Sequence, residues 1–471
     1  MANNCKIFTP TKYVKELLNA VGYKGQLYGK SILENSCGDG NILLEIARRY
    51  IMSCRRMKKS DEEIKLGLET DIYGVELEHS HVITCKRNLD ILAEKYGIQG
   101  VKWRIIEGDY LRLQTERQFQ FVIGNPPYIV YRDIEETDRK YLRENYISCR
   151  KGKFDYYYAF VEKSVKELEE NGRMAYIIPY SIYKNVYADH LREYIKPYVT
   201  KIFDYTYQNK FPKITTSSTI LLLEKKSSQQ FLYIDVVTGK QIKIKKSALG
   251  EKWKFTETEI SDGQYRFGDY FKINNTVATL CNNAFLIEKY VRQGDYYFLP
   301  NGDKIEADIV KAAVSKKRGK NFDKIAIIFP YYYKNGKLQH YSEIEFGEKF
   351  PYAKEHLMRY KKELEERAAD KHALWFEYGR SQAIAKMNEE KLVLPSIIAS
   401  AVNVTFADGG VIPCAGFFVT KAGGYTLAQA KKILESRYFY DYLVQIGIFT
   451  TGKSRRLTVK DIADYRFESW E

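Results

Sequence analysis

No Cys-x-x-Cys pair occurs in this chain, and its seven cysteines (Cys5, Cys37, Cys54, Cys85, Cys149, Cys281, Cys414) are scattered and odd in number. That argues against a disulfide framework and a cysteine zinc site, and for a reducing cytoplasm. The amino terminus has no signal-peptide apolar core, and no apolar run approaches membrane-spanning length. Internal repeats and long low-complexity tracts are also missing. What remains is 471 residues with 45% hydrophobic content, enough for two packed domains. The formal charge of +15 is spread over both halves and points to an acidic partner, most commonly nucleic acid. The 40 tyrosines are so frequent that no single aromatic patch is informative.

Apolar spacing organises the chain. Residues 12–21 follow Thr9-Pro10-Thr11 and place Val14, Leu17, Leu18 and Val21 on one face, which predicts a helix. Strands are expected at 31–33, 72–75, 103–106, 121–124, 174–178, 200–205 and 219–224, and helices over 41–50, 79–96, 155–170 and 187–195. The charged stretch 55–65 reads as a solvated helix-and-loop insertion. Such alternation predicts an α/β fold, a parallel sheet with helices on both faces. Beyond residue 225 the rhythm breaks into short strands mixed with helices. A boundary is therefore expected near 225–250, around Lys225–Gln230, giving domains 1–228 and 229–471, the second of mixed α+β type.

Two of the 11 prolines stand side by side in Asn125-Pro126-Pro127-Tyr128, directly after the apolar run Phe119–Gly124. Neither proline offers an N–H to a ladder, so the strand must stop there. A strand's carboxyl end is where open α/β sheets bind ligands. An amide oxygen, a prolyl carbonyl and an aromatic ring suit a planar amino group on a flat heterocycle. Taken alone, the same four residues also fit a plain proline-rich turn.

Other candidates follow at successive strand ends. Glu34-Asn35-Ser36-Cys37-Gly38-Asp39-Gly40 comes after the first strand, where glycines let the backbone turn tightly and approach a ligand. Glu76 ends the second strand, placed to accept hydrogen bonds from ribose hydroxyls. Asp109 and Tyr110 follow the third, an acid for an adenine amino group and a ring for its face. Each alone fits a solvated loop. Their order is harder to dismiss.

This order resembles the amino-methylating DNA methyltransferases, in particular the TaqI-like γ class of adenine methyltransferases, as in the methyltransferase half of type IIG restriction-modification enzymes. The resemblance runs from Phe8-Thr9-Pro10 to the end of the chain. It implies a Rossmann-like AdoMet-dependent methyltransferase sheet with a C-terminal target-recognition domain, and S-adenosylmethionine (AdoMet) as cofactor with no metal required. By the same resemblance Thr9, Glu34, Cys37 and Gly38 line the methionine end of the pocket, and Glu76 holds the ribose. Asp109, Tyr110, Pro127 and Phe160 complete the cofactor site. Asn125, Pro126 and Tyr128 are the implied catalytic residues, with Tyr128 and Phe211 stacking on a flipped target base. Asn35 stands where the family often has proline, which is expected to loosen the turn. The basic clusters Lys316–Lys320 and Lys453–Arg456 are plausible phosphate contacts or plain exposed loops.

The expected reaction is direct methyl transfer to the N6 amine of adenine in duplex DNA. Methylation of the cytosine amino group, of RNA or of a protein glutamine poses the same chemical problem and stays open. Serine usually heads the motif in the cytosine form, and the large second domain favours DNA. A bifunctional restriction enzyme is less expected, because no Asp…Glu-x-Lys cluster stands out after residue 225 and eight residues before Thr9 are too few for a nuclease. A companion restriction endonuclease is an allowed partner. One recognition domain points to a monomer.

Overall fold

The computed structural model describes residues 9–206, 218–256, 263–315, 323–380, 383–450 and 454–468. The chain forms two compact units, Met1–Thr258 with Ile448–Gly452, and Glu259–Gly447 with Lys453–Glu471. Phe211, the cluster 316–320 and Lys453 lie outside the described residues.

The first unit begins with α1 (Thr11–Val21), β1 (Ile32–Glu34), α2 (Asn41–Arg56), α3 (Asp61–Asp71), β2 (Ile72–Glu76), α4 (His79–Lys95), β3 (Arg104–Glu107) and β4 (Phe119–Gly124). It continues through α5 (Glu136–Asn145), α6 (Tyr157–Lys166), β5 (Leu168–Pro179), α7 (Asp189–Ile195), β6 (Val199–Asp204), β7 (Ser218–Glu224), β8 (Gln230–Asp235) and β9 (Gln241–Lys245). In α1 the expected stripe of Val14, Leu17, Leu18 and Val21 is buried, and Gly22 at φ +79° closes the helix in the left-handed conformation. The charged excursion contains α3, started by a capping box in which Ser60 accepts from the Glu63 N–H and Glu63 accepts from the Ser60 N–H.

Nine strands form one sheet in the order β3-β2-β1-β4-β5-β7-β6-β8-β9. The first five are parallel, with Ile32 opposite Ile72 on one side and Phe121 on the other. β7 runs antiparallel between β5 and β6. Successive side chains point to opposite faces, so Phe121, Ile123, Ala175 and Ile177 join one core with α1, α2 and α4, while Val122, Met174, Tyr176 and Ile178 join the other with α6. The chain runs outward from β1 to β3, then crosses back to β4. That reversal opens a crevice at the carboxyl ends of β1 and β4, the place where such sheets bind ligands.

Two expectations are corrected here. The helix expected over 155–170 ends at Lys166, because Leu168 already pairs with Phe119 and the Phe119 N–H bonds the Glu167 carbonyl at 2.8 Å. The first unit also extends past 228, to Thr258. Lys225–Gln230 is a turn rather than a linker, since β8 adds to the same sheet with Leu232 opposite Lys201.

The second unit is a mixture of small sheets and short helices. One four-stranded sheet joins Phe271–Asn275, Lys391–Leu394, Thr405–Ala407 and Phe417–Lys421, and another joins Leu286–Ile287, Val310–Ser315, Asp323–Ile328 and Ile412–Pro413. Three helices, Glu343–Lys349, Pro351–Met358 and Lys361–Glu366, follow one another in this unit. Among the described residues no helix is long and apolar enough to cross a membrane.

Candidate functional site

The residues singled out at strand ends meet along the carboxyl edge of β1 to β4. The turn after β1 has Gly38 at φ +51° and Gly40 at φ +89°, a conformation that costs a side-chain-bearing residue energy. A Cβ on Gly40 would also stand 2.7 Å from the Cys85 Sγ. The Cys37 N–H bonds the Val75 carbonyl at 3.0 Å, and the Gly38 N–H bonds Glu76 Oε2 at 2.8 Å. Glu76 Oε1 accepts the Glu78 N–H at 3.0 Å. The acid at the end of β2 therefore ties its own strand to the glycine turn. A hydrogen bond with Cys85, together with burial, raises the Cys37 thiol well above its ordinary value, so it is a neutral part of the turn.

Glu34 is buried, and its Oε2 has no hydrogen-bond partner. Burial foremost, with Cys85 and Glu76 nearby, raises its carboxyl well above the usual carboxylate range. A buried acid with a free oxygen fits a cationic ligand. Without one it stays protonated, and this has a measurable sign. The stability that the neutral acid allows is complete at low pH and declines as pH rises toward the raised value. Glu34→Gln should melt like wild type in acid, then gain about 1.4 kcal/mol per pH unit over it above the ordinary carboxylate range. A pH-independent difference between ligand-free melting curves would refute this reading of Glu34.

Asn125 leaves β4 beside this turn, and the Ser36 hydroxyl donates to its backbone carbonyl at 3.3 Å. Its side-chain Nδ2 donates to Thr9 Oγ1 at 3.4 Å, while Oδ1 accepts the Tyr128 hydroxyl at 2.6 Å. That hydroxyl also lies 2.7 Å from the Ile177 carbonyl. Burial raises the Tyr128 phenol, keeping it a donor. Its half-buried ring meets Tyr157 edge-on with centroids 5.9 Å apart. Pro126 is buried and Pro127 half-buried.

At the end of β3, Asp109 Oδ1 accepts the Leu111 N–H at 2.9 Å and Oδ2 lies 3.2 Å from Arg112. Tyr110 turns inward. Its hydroxyl donates to Glu167 at 2.6 Å, and its ring sits 5.2 Å from that of Phe160, also buried.

Two features escaped sequence reasoning. Asn35 does not loosen the turn. Its buried Nδ2 donates to Ser164 Oγ at 2.9 Å and to the Tyr176 hydroxyl, anchoring the turn to α6 and β5. Leu77 stays 45% exposed directly after Glu76, an apolar side chain at the crevice edge. Its only signal was that adjacency.

Known proteins resemble this chain in sequence and in fold. Residues 42–211 match the Eco57I restriction-modification methylase family. The type II methyltransferase M.BstVI of Geobacillus stearothermophilus is 26% identical over 284 residues, covering 56% of this chain and 50% of the relative. The type II restriction enzyme and methyltransferase RM.Eco57I of Escherichia coli is 23% identical over 380 residues, covering 69% of this chain and 38% of the relative. The chain thus spans half or less of the length of these relatives. The DNA complex of the type IIL restriction-modification enzyme MmeI superposes with a TM-score of 0.62 at 14% identity, over 96% of this chain and 64% of MmeI, a likeness of fold. The chain carries, at residues 42–211 of its first unit, a domain of the Eco57I restriction-modification methylase family.

Proposed function

We propose that the protein is a DNA methyltransferase that transfers a methyl group from AdoMet to the N6 amine of adenine, in a base turned out of duplex DNA. The observation that carries this is Asn125-Pro126-Pro127-Tyr128 at the end of β4, with the Asn125 amide oriented by Tyr128 and Thr9 beside the glycine turn. The relatives named as type II methyltransferases and the +15 charge support DNA as the substrate.

The chain's residues fit AdoMet. The unpaired oxygen of Glu34 matches a positive charge, Glu76 is an acceptor for ribose hydroxyls, and the glycine turn lets backbone approach closely. In this reading Asp109 and Pro127 would meet the adenine end, supported by the buried pair Tyr110 and Phe160. When bound, AdoMet provides a methyl group on an electron-poor sulfonium.

An aryl amine is a poor nucleophile because its lone pair is delocalised into the ring. Asn125 Oδ1 retains a second lone pair after accepting from Tyr128, and the Pro126 carbonyl has no neighbouring N–H to compete for it. These two acceptors draw the amine toward tetrahedral geometry and free its lone pair. The rest is positioning. The ring of Tyr128 stacks on the turned-out base, with Phe211 as the second stacking residue, and this offsets part of the unstacking cost of a few kcal/mol. The second unit reads the target sequence.

The two functions of Tyr128 are separable. Tyr128→Phe keeps the ring and loses the hydroxyl that orients Asn125, so kcat should fall about tenfold with the KM for DNA little changed. Tyr128→Ala loses both ring and hydroxyl, so it should show the same fall in kcat and raise the KM for DNA besides. Steady-state methylation assays separate the two, and a Phe variant with wild-type kcat would sink the orienting role. The choice of base is tested by digesting methylated DNA to nucleosides. N6-methyladenine is expected, and N4-methylcytosine would keep the chemistry and overturn the base.

A further inference from the structure

A second cationic feature lies next to the catalytic motif and outside the family's motifs. Between α5 and α6 the chain forms the loop Arg150-Lys151-Gly152-Lys153, with the three cationic side chains exposed. None of the three makes an ion pair among the described residues. The loop's backbone is held by a neighbouring arginine. The Arg143 guanidinium donates to the Arg150 carbonyl at 3.2 Å and to the Gly152 carbonyl at 3.0 Å. Gly152 adopts φ +74°, and a Cβ there would run into the Tyr187 ring.

The same arginine links this loop to the catalytic motif. Arg143 donates to the Tyr131 hydroxyl at 2.9 Å, and the Tyr131 ring packs edge-on against Phe154 at 5.3 Å. The Tyr156 N–H bonds the Ile129 carbonyl at 2.9 Å, one residue beyond Tyr128. The acid that follows, Asp155, is half-buried, and burial pushes its carboxyl up to about 6. Of the other acids of this region, Glu135, Glu136 and Glu144 are exposed, and two are paired. Asp138 pairs with Arg112 at 2.6 Å, and Asp133 with Arg132 at 3.3 Å.

We propose that Arg150, Lys151 and Lys153 form a phosphate clamp that grips the backbone of the DNA strand bearing the target base, beside the pocket formed by Tyr128. This rests on the proposed function. A base that rotates out about its backbone needs that backbone held, and cations on a loop fixed in advance lose little freedom on binding. The contacts are to phosphate, so they act on every sequence alike.

The test neutralises the three together, as Arg150→Gln, Lys151→Gln and Lys153→Gln, in the full chain. A control neutralises three exposed cations near the opposite, amino-terminal edge of the strands, as Arg56→Gln, Lys58→Gln and Lys102→Gln. Duplex DNA affinity is measured across a salt series. The clamp variant should lose about 2 to 3 from the magnitude of the slope of log affinity against log salt. The control should keep the wild-type slope, and melting temperature and AdoMet affinity should be unchanged in both. A slope equal to wild type, or an equal loss in both triples, overturns the clamp alone. Failure of the wild-type protein to bind duplex DNA would overturn the function proposed above, and the clamp with it.

Discussion

Asn125→Ala should lower methyl transfer by about a thousandfold, the scale seen when an enzyme loses one hydrogen-bonding group aimed at the reacting centre. AdoMet affinity should survive. The side chain contributes one acceptor toward the substrate, and its own supports are local. Tyr128 keeps the Ile177 carbonyl at 2.7 Å, and Thr9 loses only a long contact of 3.4 Å. The glycine turn is fixed by the Val75 carbonyl and by Glu76 and does not depend on the Asn125 side chain. Single-turnover transfer at saturating cofactor and DNA, set beside calorimetric AdoMet binding, reads both quantities. Parallel loss of cofactor affinity would move Asn125 from catalysis to the cofactor pocket.

Glu76→Ala should produce the reverse pattern, AdoMet affinity down about a hundredfold with the rate at saturating cofactor largely kept. Hydrogen bonds to a charged partner contribute about 1.5–3 kcal/mol each. Glu76 binds two backbone N–H groups, those of Gly38 and Glu78, and in this account the ribose as well. Its loss therefore removes a ligand contact and loosens the turn that carries others. Glu76→Gln keeps one acceptor oxygen and should fall between. Unchanged affinity in the alanine variant would remove Glu76 from the cofactor site.

The first unit was legible because its signals are local. Each of β1 to β4 is closed by glycine, an acid or proline, and chain order alone puts Gly38, Glu76, Asp109 and Asn125 on the same edge. What was not legible depends on partners distant in sequence. Asn35 is anchored by Ser164 and Tyr176, more than a hundred residues away, so its local sequence reads as a loosened turn. Lys225–Gln230 has a linker's composition, yet β8 passes over its chain neighbour β7 to pair directly with β6. α5 was missed because only Leu142 of its residues is buried, which leaves no stripe to find. The inward turn of Tyr110 follows from Glu167, an acid with no mark in the sequence. In the second unit the strands are short and pair over long separations, as Phe271–Asn275 does with Phe417–Lys421, so their partners cannot be read from the local sequence.

The central claim is tested most directly by offering the purified protein methyl-labelled AdoMet with unmethylated duplex DNA, with RNA and with protein, in separate reactions. This account predicts label in DNA alone, abolished by Asn125→Ala. Label in RNA or protein, or transfer to none of the three, would contradict it.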